Sequence, residues 1–320
     1  MPYKGRNIAF IFPGQGAQYV GMAMDYIEAE SRLENALRSF DRQNNTDLFG
    51  IMKDGPEETL KETRFTQPAI LFHSVAAMQA FQKNLDIQPD VVAGHSLGEF
   101  TALVAAGILS PDEAMYLVHR RGQFMIDANE GKPFAMAAII GLAPNHVKDI
   151  CEMASERGVV IAANYNTPVQ TVISGSEAGV KRACEIAGEA GAKRIVPLVV
   201  GGPFHSPLIE KARGWLAEEI AKLDFTQSDI PLVSNVNAQP TTDLEQIKRN
   251  LALQVTSSVM WVDSMKFIID KWNPVFLEFG PQKVLAGMLR KIDKRADILS
   301  VDKLEEIPAM CEKLEELCSV

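Results

Sequence analysis

The sequence predicts an α/β fold in which a parallel-sheet domain carries a smaller inserted unit. Three observations predict it. Apolar, β-prone runs at 7–12, 91–93, 231–236, 275–279 and 298–301 alternate with helical periodicity, the rhythm of a sheet wound with crossover helices. Between 131 and 200 the rhythm changes to strand 134–140, helix 144–157, strands 159–163 and 171–174, helix 177–190 and strand 194–198. That βαββαβ order is the split unit of a ferredoxin-like domain. Gly131-Lys132-Pro133 and Gly201-Gly202-Pro203 punctuate its entry and exit. The expected large domain is therefore discontinuous, 1–130 with 201–320, and the insert is 131–200. A cleft between two such units is a preferred ligand site.

Composition sets outer bounds. The chain has 320 residues, 47% apolar and 23% charged, ordinary globular usage with room for a sizeable core. A net charge of −9 gives a nucleic-acid-binding role no electrostatic support. Cys151, Cys184, Cys311 and Cys318 lack metal-binding spacing, and three sit in helical patterns where a small buried side chain suffices. A reducing compartment fits. No stretch has the apolar length of a membrane span, and no signal-like run follows Met1 to Asn7. A soluble cytoplasmic protein is expected.

In chain order, the first strand ends at Pro13-Gly14-Gln15-Gly16-Ala17-Gln18. A dinucleotide fingerprint would need a third glycine where Tyr19 stands, yet such a loop still puts backbone N–H groups at the sheet's carboxyl edge. Helical segments follow at 19–28, 31–43 and 68–84, the last after a turn-rich 63–67. Val91-Val92-Ala93 then enters Gly94-His95-Ser96-Leu97-Gly98, and a helix-compatible stretch follows at once. This is the strand, tight turn and helix setting in which a G-x-S-x-G serine becomes a nucleophile. A structural glycine-rich corner is the blander alternative.

The helix expected at 111–129 has Ser110 as N-cap, Pro111 at its first position and acids in its first turn. Its apolar stripe, Ala114, Leu117, Val118, Phe124, Met125 and Ala128, is completed by Arg121. A cation on a core-facing stripe is costly unless paired. Two readings stay open: an internal ion pair with a distant carboxylate, or a clamp for an anionic ligand. No carboxylate lies at i±3 or i±4 on the same stripe, which favours the clamp.

Past the insert, Phe204-His205-Ser206-Pro207 leads into a helix. His73, His119 and His146 fall within helices without chemical neighbours, and His95 flanks the serine. His205 lies in an irregular Gly/Pro segment, where loops carry function on rigid scaffolds, and is the candidate base; a capping histidine is the alternative. The α/β rhythm then resumes to a closing amphipathic helix.

Phe12-Pro13-Gly14-Gln15-Gly16-Ala17-Gln18, Gly94-His95-Ser96-Leu97-Gly98-Glu99, Arg121, Phe204-His205-Ser206 and Glu278-Phe279-Gly280-Pro281 together resemble the malonyl-CoA:acyl carrier protein transacylases, over nearly the whole chain. The resemblance implies a hydrolase-like large domain with a ferredoxin-like insert. It implies Ser96 as nucleophile, His205 as base oriented by a main-chain carbonyl, and an oxyanion hole from the backbone N–H groups of Gln15 and Leu97. Arg121 would clamp the malonyl carboxylate, Gln254 would stand beside the active site, and Phe204 matches the malonyl-selecting variant. Ser258-Val259-Met260-Trp261 replaces a commoner proline and arginine, and Asn237 a commoner threonine; neither departure touches these roles. No cofactor is expected. The resemblance implies malonyl-CoA as donor and the phosphopantetheine thiol of an acyl carrier protein as acceptor, and a monomer is expected.

Three alternatives remain at this level. A serine acyl-thioester hydrolase would share Ser96 and His205 without needing Arg121. A discrete acyltransferase of a polyketide line would share everything. A non-enzymatic scaffold would form no acyl adduct. Lys283, Arg290, Lys291, Lys294 and Arg295 form the densest basic cluster, a docking surface for an acidic carrier or a plain solvated face.

Overall fold

The computed structural model describes residue 3 and residues 5–319. It is organised around two sheets. Among the described residues ten strands run in order: β1 Ile8–Phe12, β2 Val91–Gly94, β3 Phe134–Ile140, β4 Val160–Thr167, β5 Gln170–Ser176, β6 Arg194–Pro197, β7 Leu232–Val233, β8 Pro240–Thr241, β9 Val275–Phe279 and β10 Ile298–Val301. The larger sheet has the order β10-β9-β1-β2-β7-β8. It is parallel throughout except for the β7–β8 pair. Residues of β1, β2 and β9 are buried on both faces, as helix-covered parallel strands must be.

The smaller sheet, β4-β5-β3-β6, is antiparallel, the order a βαββαβ unit produces. Helices Pro144–Ala154 and Glu177–Glu189 cover one face, and Val147, Ile150, Ile173, Val180 and Ala183 form a core of their own. On the other face, Met136, Ala138 and Val172 look toward the large sheet and line the cleft.

Several local expectations need correcting. Helix 68–84 begins earlier, at Thr63. Pro68 marks a helix start by propensity, but here it lies inside. Its missing N–H leaves the Arg64 carbonyl without its usual donor, and His119 Nδ1 donates to that oxygen at 3.3 Å. The helix expected at 19–28 starts only at Met24, because Gly21 and Ala23 adopt φ of 89° and 65°. The strand expected at 231–236 pairs over two residues alone; its continuation turns polar and serves the site. Helix Pro111–Asp127 follows expectation, with a full capping box between Ser110 and Glu113. Glu278, buried at the end of β9, accepts from Leu285 N at 2.7 Å and Ala286 N at 3.0 Å. It caps helix Val284–Ile292, which also borders the cleft.

Candidate active site

Ser96 sits at the tip of the turn joining β2 to helix Gly98–Ala105, with φ of 52°. Non-glycine residues adopt this left-handed region at a cost, so the surroundings must impose it. Two glycines make the turn possible. A Cβ at Gly94 would overlap the Gly98 carbonyl, and one at Gly98 would overlap the Phe12 carbonyl. Asn235, just beyond β7, braces it: Ser96 N donates to Asn235 Oδ1 at 2.7 Å, and Asn235 Nδ2 donates to Gly94 O at 2.7 Å.

His205 also lies at positive φ, 58°, in the segment returning from the small sheet. Its Nε2 is 2.8 Å from Ser96 Oγ. Its Nδ1 faces two main-chain carbonyls, Gln254 O at 2.8 Å and Ser257 O at 3.2 Å. Carbonyls only accept, so Nδ1 carries the proton and the Nε2 lone pair meets the serine hydroxyl. Burial, and secondarily the positive charge of Arg121, push the imidazole down from 6.5 to about 3. At neutral pH it is an unprotonated acceptor, ready to take a proton. The carbonyls stand where an acid would complete a triad.

Arg121 is 1% exposed. Its NH1 donates to Gln67 Oε1 at 2.8 Å, and its NH2 to Gln254 Oε1 at 2.7 Å and Ser96 Oγ at 3.0 Å. These bonds use three of its five N–H donors, and the buried Nε finds no partner among the described residues. Burial lowers its pKa to about 10 against the pull of Glu99, so it stays a cation at neutral pH. No described carboxylate forms a direct salt bridge with it. An unneutralised guanidinium touching a nucleophilic hydroxyl is a receptor for an anionic group on the electrophile.

Gln15, Leu97 and Phe204 border the same cleft, a cavity of about 230 Å³. Gln15 and Leu97 both line it beside the serine. Neither main-chain N–H donates to a protein group among the described residues, whereas Ser96 N is committed to Asn235. Two uncommitted N–H groups beside a nucleophile are what a tetrahedral oxyanion needs. Phe204 is buried at the cleft wall, and Gln254 is fully buried. His95 Nε2 reaches across the cleft to Asn166 Oδ1 at 2.8 Å.

Sequence reasoning missed Gln67, Asn235 and the part played by Glu99. Asn235 lies in a polar run just past a strand, at the carboxyl edge where α/β sites gather, a weak but usable signal. Gln67 sits one residue before Pro68, in a stretch read as turn, and nothing in its local pattern marks it. Glu99, fully buried, accepts from Gln254 Nε2 at 2.6 Å, Ser234 Oγ at 3.0 Å and Asn235 N at 3.3 Å. Burial pushes its carboxyl up to about 7.

Residues 9–310 match the acyl transferase domain. The malonyl CoA-acyl carrier protein transacylase of Bacillus subtilis is 40% identical over 311 residues, covering 97% of this chain and 98% of that protein. The structure of the malonyl CoA-acyl carrier protein transacylase from Coxiella burnetii superposes with a TM-score of 0.92 at 37% identity, over 97% of this chain and 98% of that one. A malonyl-transacylase in complex with its type II polyketide acyl-carrier protein matches with a TM-score of 0.91 at 34% identity, over 96% and 99% of the two chains. The chain belongs to the acyl transferase family, among the malonyl CoA-acyl carrier protein transacylases.

Proposed function

We propose that this chain transfers a malonyl group from malonyl-CoA to the phosphopantetheine thiol of an acyl carrier protein through a malonyl-Ser96 ester, supplying extender units for fatty-acid synthesis. The observation that carries the reading is the unneutralised Arg121 guanidinium 3.0 Å from the nucleophile. Ser96 gives its proton to His205 Nε2 while Oγ bonds to the thioester carbon. The oxyanion accepts from the N–H groups of Gln15 and Leu97, about 3 kcal/mol each in systems of this kind. The C–S bond then breaks, and the CoA sulfur leaves with the proton from Nε2. In the second half the carrier thiol gives its proton to Nε2, and its sulfur attacks the ester carbon. The C–Oγ bond breaks, and Oγ recovers the proton.

No resident cofactor is needed for these steps. Gln254 supports the site twice, its main-chain oxygen holding His205 and its side chain holding Arg121. Phe204 limits room beside the acyl chain and so favours malonyl over branched homologues. The chain acts as a monomer of two units, 1–130 with 201–320 and 131–200, in the cytoplasm. The carrier approaches over helix Val284–Ile292, whose Val284, Leu285 and Met288 line the cleft while Arg290 and Lys291 stay exposed. Charge reversal at Arg290 and Lys291 should weaken carrier affinity and leave malonyl-CoA affinity intact.

The hydrolase reading is separated by following free malonate. Transfer predicts slow release without carrier and rapid malonyl-carrier formation with it; rapid release without carrier would favour hydrolysis. A polyketide carrier in place of a fatty-acid carrier has one relative in its favour, the transacylase complexed with a polyketide carrier. Parallel assays with both carriers distinguish them by kcat/KM.

A further inference from the structure

The Ser96–His205–Arg121 reading gives Glu99 no task, yet it is a fully buried carboxylate three positions past the nucleophile. Every group that meets it donates: the Ser234 hydroxyl, the Asn235 main-chain N–H and the Gln254 amide. As they stand, all three bonds are donated to it, an arrangement that suits the ionised carboxylate once pH is above about 7. Arg121 is the opposite charge that acts on it, and no direct salt bridge joins the two among the described residues. The Gln254 side chain lies between them, its nitrogen on Glu99 at 2.6 Å and Ser96 O at 3.0 Å, its oxygen on Arg121 at 2.7 Å. Only that orientation of the amide satisfies both ends.

We propose that Glu99 tunes substrate capture: it is the resident counter-charge of Arg121, kept one amide away so that the buried cation is balanced in the free enzyme while its remaining donors stay open to the malonyl carboxylate. This rests on the malonyl reading of the site. A direct Glu–Arg pair would neutralise the clamp, and no counter-charge at all would leave a buried cation that is costly to maintain. The spaced arrangement has a second consequence. Glu99 and the arriving carboxylate bear like charges and share one cation, so Glu99 holds affinity down. An acyl group that must enter on one thiol and leave on another in every cycle is better captured weakly than trapped. Glu99 is thus a positioning residue, acting through Gln254 and Arg121.

The test uses the Ser96→Ala background, where malonyl-CoA binds without reacting, with calorimetry at pH 8. Glu99→Gln is nearly isosteric, and the Ser234 hydroxyl can reverse to accept from the new amide, so hydrogen bonding survives while the charge is lost. The expected result is tighter malonyl-CoA binding, about 10-fold, the order of magnitude of repulsion between two like charges that flank one cation at an effective dielectric near 20, with acetyl-CoA affinity unchanged. A purely structural role would weaken binding of both or alter neither, and any of those outcomes overturns the proposal, as would equal tightening of both. The free protein should also lose about 5 °C in Tm from the unbalanced cation. Adding Arg121→Gln should restore part of that loss; a loss that grows instead overturns the counter-charge assignment. Should Glu99→Gln alone be too unstable to isolate, the double variant is compared with Arg121→Gln: a folded double variant supports the assignment, an unfolded one beside a folded single overturns it. If Arg121→Ala leaves the malonyl-over-acetyl preference of the parent intact, the malonyl reading itself fails, a result separable from all of these.

Discussion

Replacing Arg121 by alanine bears on both the clamp and the state of the base. The guanidinium is 1% exposed, and its positive charge meets no direct described carboxylate partner. A malonyl carboxylate drawn into the cleft of the variant would therefore be buried without a partner. Stranding a buried charge in this way costs about 2–5 kcal/mol, or about 30- to 5,000-fold in kcat/KM for malonyl-CoA. Acetyl-CoA has no such group, so the malonyl-to-acetyl ratio carries the signal and is insensitive to a change in the folded fraction. A second readout comes from His205. Burial first and Arg121 second hold its imidazole at about 3. Without the cation that value rises, and a base must be unprotonated to act. The acid limb of the pH–rate profile for Ser96 acylation by a neutral acyl ester should then move to higher pH. Equal losses for malonyl and acetyl donors, or an unmoved acid limb, would refute the reasoning. In the parent, a bound malonyl carboxylate offsets the same Arg121 charge, so the imidazolium formed at the transition state is less disfavoured with malonyl than with a neutral acyl group.

Two further outcomes follow from the geometry. An imidazole held neutral in the fold binds fewer protons than in the unfolded chain below pH 6.5, so His205 draws stability down as pH falls from 6.5 toward 3. Glu99, raised to about 7, binds more protons folded than unfolded between 4.5 and 7, and its contribution is lost as pH rises through that window. The two slopes oppose each other in the parent. His205→Gln should gain on the parent by up to about 1.4 kcal/mol per pH unit below 6.5 in urea unfolding, and parallel profiles would contradict this. Phe204→Leu should raise the methylmalonyl-to-malonyl ratio of kcat/KM by about 10-fold, the scale of one added methyl group in a tight site; an unchanged ratio would remove Phe204 from specificity.

The sequence reveals what is local and periodic. The elbow is legible because its two glycines and its serine fall within the five residues 94–98, and their crowding is a property of the turn itself. Arg121 stands out because a cation breaks an apolar stripe of period 3.6, and the small sheet because strands and helices alternate differently between glycine- and proline-marked borders. What the pattern hides is long-range pairing. Pro68 looks like a helix start until His119, fifty-odd positions away, is seen donating to the freed Arg64 carbonyl. Asn235 acquires its role only when β7 is laid beside β2, which brings its side chain to the Ser96 N–H. Glu99 looks like an ordinary first-turn acid, favourable to the helix dipole; its burial depends on Ser234, Asn235 and Gln254 arriving from elsewhere. His205 is legible as a residue in a functional kind of loop, but its tautomer is set by two carbonyls near residue 255 that no local pattern links to it.

The most direct test of the central claim is intact-mass measurement after the purified chain is mixed with malonyl-CoA in the absence of carrier. One malonyl adduct is expected, absent from Ser96→Ala, discharged on adding an acyl carrier protein with its phosphopantetheine arm and appearing on that carrier. No adduct on the parent chain, or an adduct that survives Ser96→Ala, would contradict it.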